Sequence, residues 1–82
     1  MRIYIVLYET TGHGYFEETR HASFEGEKSA RDYAMDKASN NDEKLQSVFR
    51  LDTTTRKVTE YELTLEYGRL ELLEVQEEEG EQ

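Results

Sequence analysis

The run Ile3-Tyr4-Ile5-Val6-Leu7-Tyr8 sets the terms for the fold, because none of its six positions is charged or strongly polar. It is far shorter than the roughly 20 apolar residues a membrane-spanning helix needs. It also falls short of the roughly 7–15 residues in the core of a secretory leader, and no leader is expected. In a strand, successive side chains point to opposite faces. Ile3, Ile5 and Leu7 then form one set and Tyr4, Val6 and Tyr8 the other, both apolar. A strand of that kind belongs at the centre of a sheet, and the pattern predicts that it is covered on both sides.

The material for that cover is sparse. Leu, Ile, Val and Phe supply 17 of the 82 residues, just above the roughly 20% at which a charged chain tends to disorder. Six tyrosines tip the balance, since each adds a large ring whose hydroxyl can remain wet. A chain of this length is one domain that buries roughly 60% of its unfolded surface. Residues 2 to about 75 read as one folded domain. Residues 76–82, with no apolar side chain, read as a frayed acidic tail.

Periodicity divides the domain. A strand Arg2–Tyr8 is followed by a turn at Thr10–Gly14 and a second strand Tyr15–Phe24, with Phe16, Ala22 and Phe24 on one face and Thr19, His21 and Ser23 on the other. Glu25-Gly26 interrupts the alternation. Ala30, Tyr33, Ala34 and Ala38 then fall at helical spacing, predicting a helix Glu27–Ser39 with one narrow apolar stripe. Its alanines suit close approach to a sheet. A third strand spans Lys44–Leu51, with Leu45, Phe49 and Leu51 expected opposite Val48. The turn Asp52–Arg56 leads to a fourth strand, Lys57–Tyr67, with Tyr61, Leu63, Leu65 and Tyr67 on one face and Glu60, Glu62, Thr64 and Glu66 on the other. Gly68-Arg69 fits a type II′ turn, which would set Tyr67 against Leu70, Leu65 against Leu72 and Glu66 against Glu71. Leu70–Val75 would be a fifth strand. The order β-β-α-β-β-(β) predicts an α+β fold: an antiparallel sheet of four to five strands with one helix on one face.

Chemistry-bearing motifs are few. The chain has no Cys, which excludes disulfides, thiolate catalysis and thiolate metal sites. Its serines lie in no Gly-x-Ser-x-Gly context. Gly12-His13-Gly14 leads into a strand, where a phosphate loop needs a Lys and a following helix. Adjacent carboxylates such as Glu17 and Glu18 diverge to opposite strand faces. His13 and His21 flank the first hairpin and leave a metal or acid–base site as a remote alternative. Lys44, Arg50, Arg56 and Lys57 gather near Phe49, but Asp42, Glu43, Asp52 and Glu60 stand among them, which points to a solvated mixed-charge face. No enzyme and no cofactor is expected.

The charge distribution is the clearest functional signal. The chain carries 19 acidic and 10 basic residues, net −9, which disfavours direct binding to nucleic acid or to an anionic membrane. Residues 66–82 hold seven Glu and one Arg, net −6, and the preceding 65 residues only −3. Glu60, Glu62, Glu66, Glu71, Glu74, Glu77, Glu78 and Glu79 are the candidate partner-binding carboxylates, with Tyr67, Tyr61 or Tyr8 as aromatic anchors. A plainer account remains open: the acidic end serves solubility and protects a sheet edge from pairing. A self-associating accessory protein is the structural alternative, with its apolar strands pairing between chains.

The pattern resembles that of small acidic accessory proteins encoded by phages and mobile elements. The resemblance rests on Arg2-Ile3-Tyr4-Ile5-Val6, on Phe24-x-x-Glu27-Lys28-x-Ala30-x-x-Tyr33-Ala34, and on Phe49-Arg50-Leu51-Asp52 leading to Lys57-Val58-Thr59-Glu60. It spans residues 2 to 65. It implies a cytoplasmic inhibitor of a nucleic-acid-handling host or defence protein, some such proteins acting as DNA mimics, and it carries over no site residue.

Overall fold

The computed structural model describes residues 1–12 and 16–75. The chain folds as β1 (Arg2–Gly12), β2 (Phe16–Phe24), α1 (Glu27–Ser39), β3 (Glu43–Asp52), β4 (Lys57–Glu66) and β5 (Arg69–Glu74). The five strands form one antiparallel sheet in the order β2-β1-β3-β4-β5, and α1 packs on one face. This is the α+β architecture that the periodicity predicts. β2 and β3 both run antiparallel to β1, so α1 is the crossover that carries the chain over β1.

Helix bounds coincide with the alanine spacing. The entry residue Gly26 is extended and gives the helix no side-chain cap, while Glu27 in the first turn and Lys37 in the last complement the helix dipole. Ala30 and Ala34 are fully buried. Having only a methyl group, they let the helix backbone settle onto Val6 and Val48, the two largest fully buried side chains. Ala38 does not join them; it is exposed, one turn past the sheet contact. Tyr4, Tyr8, Tyr61 and Leu72 complete the buried set.

Three expectations are corrected. First, β1 is hydrogen-bonded on both sides but covered on one face only: Tyr4, Val6 and Tyr8 lie under α1, and Ile3, Ile5 and Leu7 remain half-exposed. One helix of 13 residues cannot cover two faces. Second, the β1–β3 register shifts between Leu7 and Tyr8, so that Leu7 faces Ser47 while Tyr8 faces Leu45. Gln46 is the extra residue of a β-bulge, which turns Leu45 to the helix side with Val48 and away from Phe49 and Leu51. Third, the last hairpin turns at Tyr67-Gly68, both with positive φ (52° and 79°), as a type I′ turn requires. Leu65 therefore faces Leu70, Leu63 faces Leu72, and Glu66 faces Arg69 rather than Glu71. The expected repulsion is replaced by opposite charges.

The β3–β4 ladder runs from Asp52↔Lys57 only as far as Val48↔Tyr61. Beyond it, β3 continues against β1 alone and β4 against β5 alone. A cleft of about 330 Å³ opens between them, lined by Leu45–Val48, Glu60–Leu63 and Val75. At the opposite end Asp52 Oδ1 accepts the Thr54 and Thr55 amides at 3.0 and 3.4 Å. The Thr54 amide, foremost, holds the Asp52 carboxyl below the usual aspartate range.

Candidate functional site

Register decides which carboxylates act together. Val48↔Tyr61 and Val6↔Val48 put Tyr61 on the helix face, so Glu60, Glu62 and Glu66 project from the other, open face of β4. Glu60 and Glu62 are exposed and Glu66 is half-buried. They form a row along the strand, as the alternation predicts. Tyr67 follows at the tip of the hairpin with 98% of its surface exposed.

Of the other acidic candidates among the described residues, Glu74 is not part of that row, and Glu71, opposite Thr64 and so on the same face by alternation, is held by basic neighbours. Glu71, on the edge strand, is engaged by Arg31 of α1 at 3.3 Å and by Arg69 at 3.7 Å. Glu74 faces Tyr61 and belongs to the helix side by alternation. Glu77, Glu78 and Glu79 lie outside the described residues. Two of the three expected aromatic anchors are corrected as well. Tyr8 and Tyr61 are buried under α1, and burial is the main reason the Tyr61 phenol titrates above the ordinary tyrosine range.

Beside the acidic row runs a stripe that periodicity assigned to the interior. Ile3 faces Leu51 and Ile5 faces Phe49 across β1 and β3, with Leu7 beyond, and Val58 of β4 faces Leu51. All but Val58 are half-buried by their neighbours within the sheet, and Val58 is 59% exposed. No second layer covers them among the described residues. The missed signal was countable: the sequence contains one helical segment and two apolar faces of β1. On the far side of the stripe, β2 presents Thr19, His21 and Ser23, all exposed.

The basic residues are dispersed. Arg50 is on the helix face, away from Phe49. Its guanidinium stacks 5.6 Å from the Tyr61 ring centroid and donates to the Tyr61 hydroxyl at 2.6 Å and to Thr59 Oγ1 at 3.5 Å. Its Nε is buried without a partner among the described residues. Lys44 faces Glu9 across β1 and β3. His13 lies outside the described residues. Among the described residues, no three His, Asp or Glu side chains group to hold a metal ion, and no helix is long and apolar enough to cross a membrane.

An open groove of about 540 Å³ separates α1 from the β4–β5 hairpin, with Met35, Leu65 and Leu70 along it and Arg31, Asp32 and Glu71 at its rim. It is shallow, and its charged rim is already internally paired. No protein-family model matches the chain, and no curated protein or solved structure is significantly similar to it.

Proposed function

We propose that this chain is a non-enzymatic protein-binding module, an inhibitor that occludes a basic, nucleic-acid-handling surface of a partner protein. The observation that carries this reading is the register that lines up Glu60, Glu62 and Glu66 on one face, with Glu60 directly across from the uncovered Phe49. Carboxylates on an exposed row steer a basic partner into contact and set the association rate; the desolvated apolar contacts then set the lifetime of the complex. Neither half works well alone. A purely acidic surface gives weak, salt-labile encounters, and an apolar patch without charge has no selectivity.

Tyr67 supports the same reading. A non-glycine residue with φ of 52° is strained, and outliers of this kind cluster where a surface has work to do beyond folding. Asn, Asp or Gly would form the same turn at less cost. An exposed tyrosine is, on the other hand, among the commonest interface anchors.

The experiment is affinity capture on the immobilised chain at low and high salt, run beside the triple variant E60Q/E62Q/E66Q. Basic nucleic-acid-handling proteins should be enriched at low salt, released at high salt and lost with the variant. Capture that ignores both salt and the three substitutions overturns the proposal.

A further inference from the structure

The open face has a definite shape, and that shape selects its occupant. Its contiguous apolar part is the stripe Ile3, Ile5, Leu7, Phe49 and Leu51 on β1 and β3, continued on β4 by Val58; Leu73 of β5 lies apart from it, on the far side of Glu62. Two strands about 4.8 Å apart, with their side chains, span about 10 Å, and Ile3 to Leu7 covers about 13 Å at roughly 3.3 Å per residue. That footprint matches one α-helix about 10 Å across, seen over roughly two and a half of its 5.4 Å turns. The chain itself supplies the precedent, since α1 packs chiefly on β1 and β3 from the other side. From this geometry we infer that the open stripe is the seat of a single amphipathic helix from a partner protein, with Lys or Arg along the flank that faces β4.

Charge fixes that flank. Along β4 the stripe is bordered by the exposed carboxylate of Glu60, opposite Phe49, and that of Glu62 follows across the cleft where the β3–β4 ladder has ended. Along β2 it is bordered by Thr19, His21 and Ser23, none of them a carboxylate, with Glu25 beside Ile3 only at the end of the stripe, past the last residue of the strand. At its end Glu9 and Lys44 face each other and cancel. A helix with apolar residues at i, i+3, i+4 and i+7 spans the stripe, and basic residues on one side only complete the match. The acidic border also excludes the other candidates. A second copy laid sheet on sheet, with layers about 10 Å apart, would bury the Glu60 and Glu62 carboxylates against a face whose cations, Lys44 and Arg69, already stand opposite Glu9 and Glu66, and an anionic membrane would be repelled by them.

This inference rests on the binding-module reading and narrows it, so the test must separate the two. Two hydrocarbon-stapled helical peptides of about four turns share one Leu/Ile stripe and differ only in their β4-side flank, Lys in one and Glu in the other; a lysine homopolymer is the third probe. Each is titrated into isotope-labelled protein at low salt and followed by methyl and backbone NMR. The Lys-flanked peptide should shift the methyls of Ile3, Ile5, Leu7 and Leu51 saturably and bind at least about tenfold tighter than the Glu-flanked one, a difference of about 1.4 kcal/mol. Phe49→Ser should weaken it by about tenfold or more. Should that variant misfold, E60K/E62K, at two exposed positions, keeps the question open and should reverse the flank preference. Shifts confined to other residues, equal affinities, or an unchanged preference in E60K/E62K overturn the inference, as does sedimentation showing a dimer that occludes the stripe. If only the homopolymer binds, through Glu60, Glu62 and Glu66, the helix seat fails while the acidic-surface reading stands. If nothing binds, both fall.

Discussion

Lys37 and Glu43 form a two-point ion pair, the ammonium lying 2.9 and 3.0 Å from the two carboxylate oxygens. The same ammonium stands 4.6 Å from the centroid of the Tyr8 ring and 4.8 Å from that of Tyr33, whose hydroxyls are 3.1 Å apart. One side chain from the last turn of α1 thus ties the helix to β1 and β3 at once. Both partners are largely shielded from water, with 11% and 17% of their side chains exposed.

A double-mutant cycle with Lys37→Met and Glu43→Gln should therefore return a coupling energy of about 1 kcal/mol or more, above the usual value for exposed pairs. Lys37→Met alone should cost about 1–2 kcal/mol, because the cation–π contacts go with it. Urea denaturation of the four proteins measures both quantities.

Alkaline pH should loosen the fold through the same cluster and, separately, through Tyr61, which packs with Tyr4 and Arg50. The Glu43 hydrogen bond raises the Lys37 pKa, the Tyr8 hydrogen bond followed by burial raises that of Tyr33, and burial raises that of Tyr61. A folded pKa above the unfolded one gives stability that is complete below the unfolded value and lost as pH climbs through the folded one. With unfolded values near 10 to 10.4, the urea midpoint should be flat at neutral pH and fall above about pH 10. Tyr33→Phe should make that fall shallower.

The β4–β5 turn predicts two opposite effects. Tyr67→Asn removes strain from an exposed position that makes no packing contribution, and should stabilise by about 0.5–1 kcal/mol. Gly68→Ala places a Cβ at φ of 79°, and should destabilise by about 1 kcal/mol even though open space surrounds it. Thermal melts of the two variants decide the sign of each.

Beneath α1 the fit is close enough that size matters in both directions. Ala34→Leu has no room against the sheet and should cost about 1–3 kcal/mol by overpacking. Val48→Ala leaves a cavity at the centre of the core and should cost on the order of 2 kcal/mol. Calorimetry with an unchanged far-ultraviolet spectrum would assign both losses to packing.

Most of the backbone was legible because its periods are clean. Ala30 and Ala34 announce a helix that approaches a sheet, and Glu60, Glu62 and Glu66 alternate with Tyr61, Leu63 and Leu65 without a break. Gln46 was illegible because a bulge is one surplus residue with no compositional mark, and only the partner strand shows it. The hairpin register was misread for a related reason. A glycine beside two non-glycine residues admits either turn, and the side chain of Tyr67 hides its positive φ. The apolar stripe was visible as residues but not as a surface, since alternation shows that β1 has two apolar faces and is silent on how many of them the chain can cover. The acidic row followed directly from strand parity, whereas Glu71 left it through Arg31, a contact set by tertiary packing.

The early end of the β3–β4 ladder has a mechanical consequence. Because the two strands share hydrogen bonds only up to Val48 and Tyr61, the sheet behaves as two leaves joined along half a seam. The outer leaf, the far part of the β4–β5 hairpin, can flex without breaking a backbone hydrogen bond to β3, held to the rest by the Arg31–Glu71 pair and by Leu72 in the core. Its amides should exchange with solvent as a separate, earlier unit, so Glu62, Glu66 and Tyr67 ride on the more compliant part of the molecule, and Glu60 with the stripe on β1 and β3 belongs to the stiffer one.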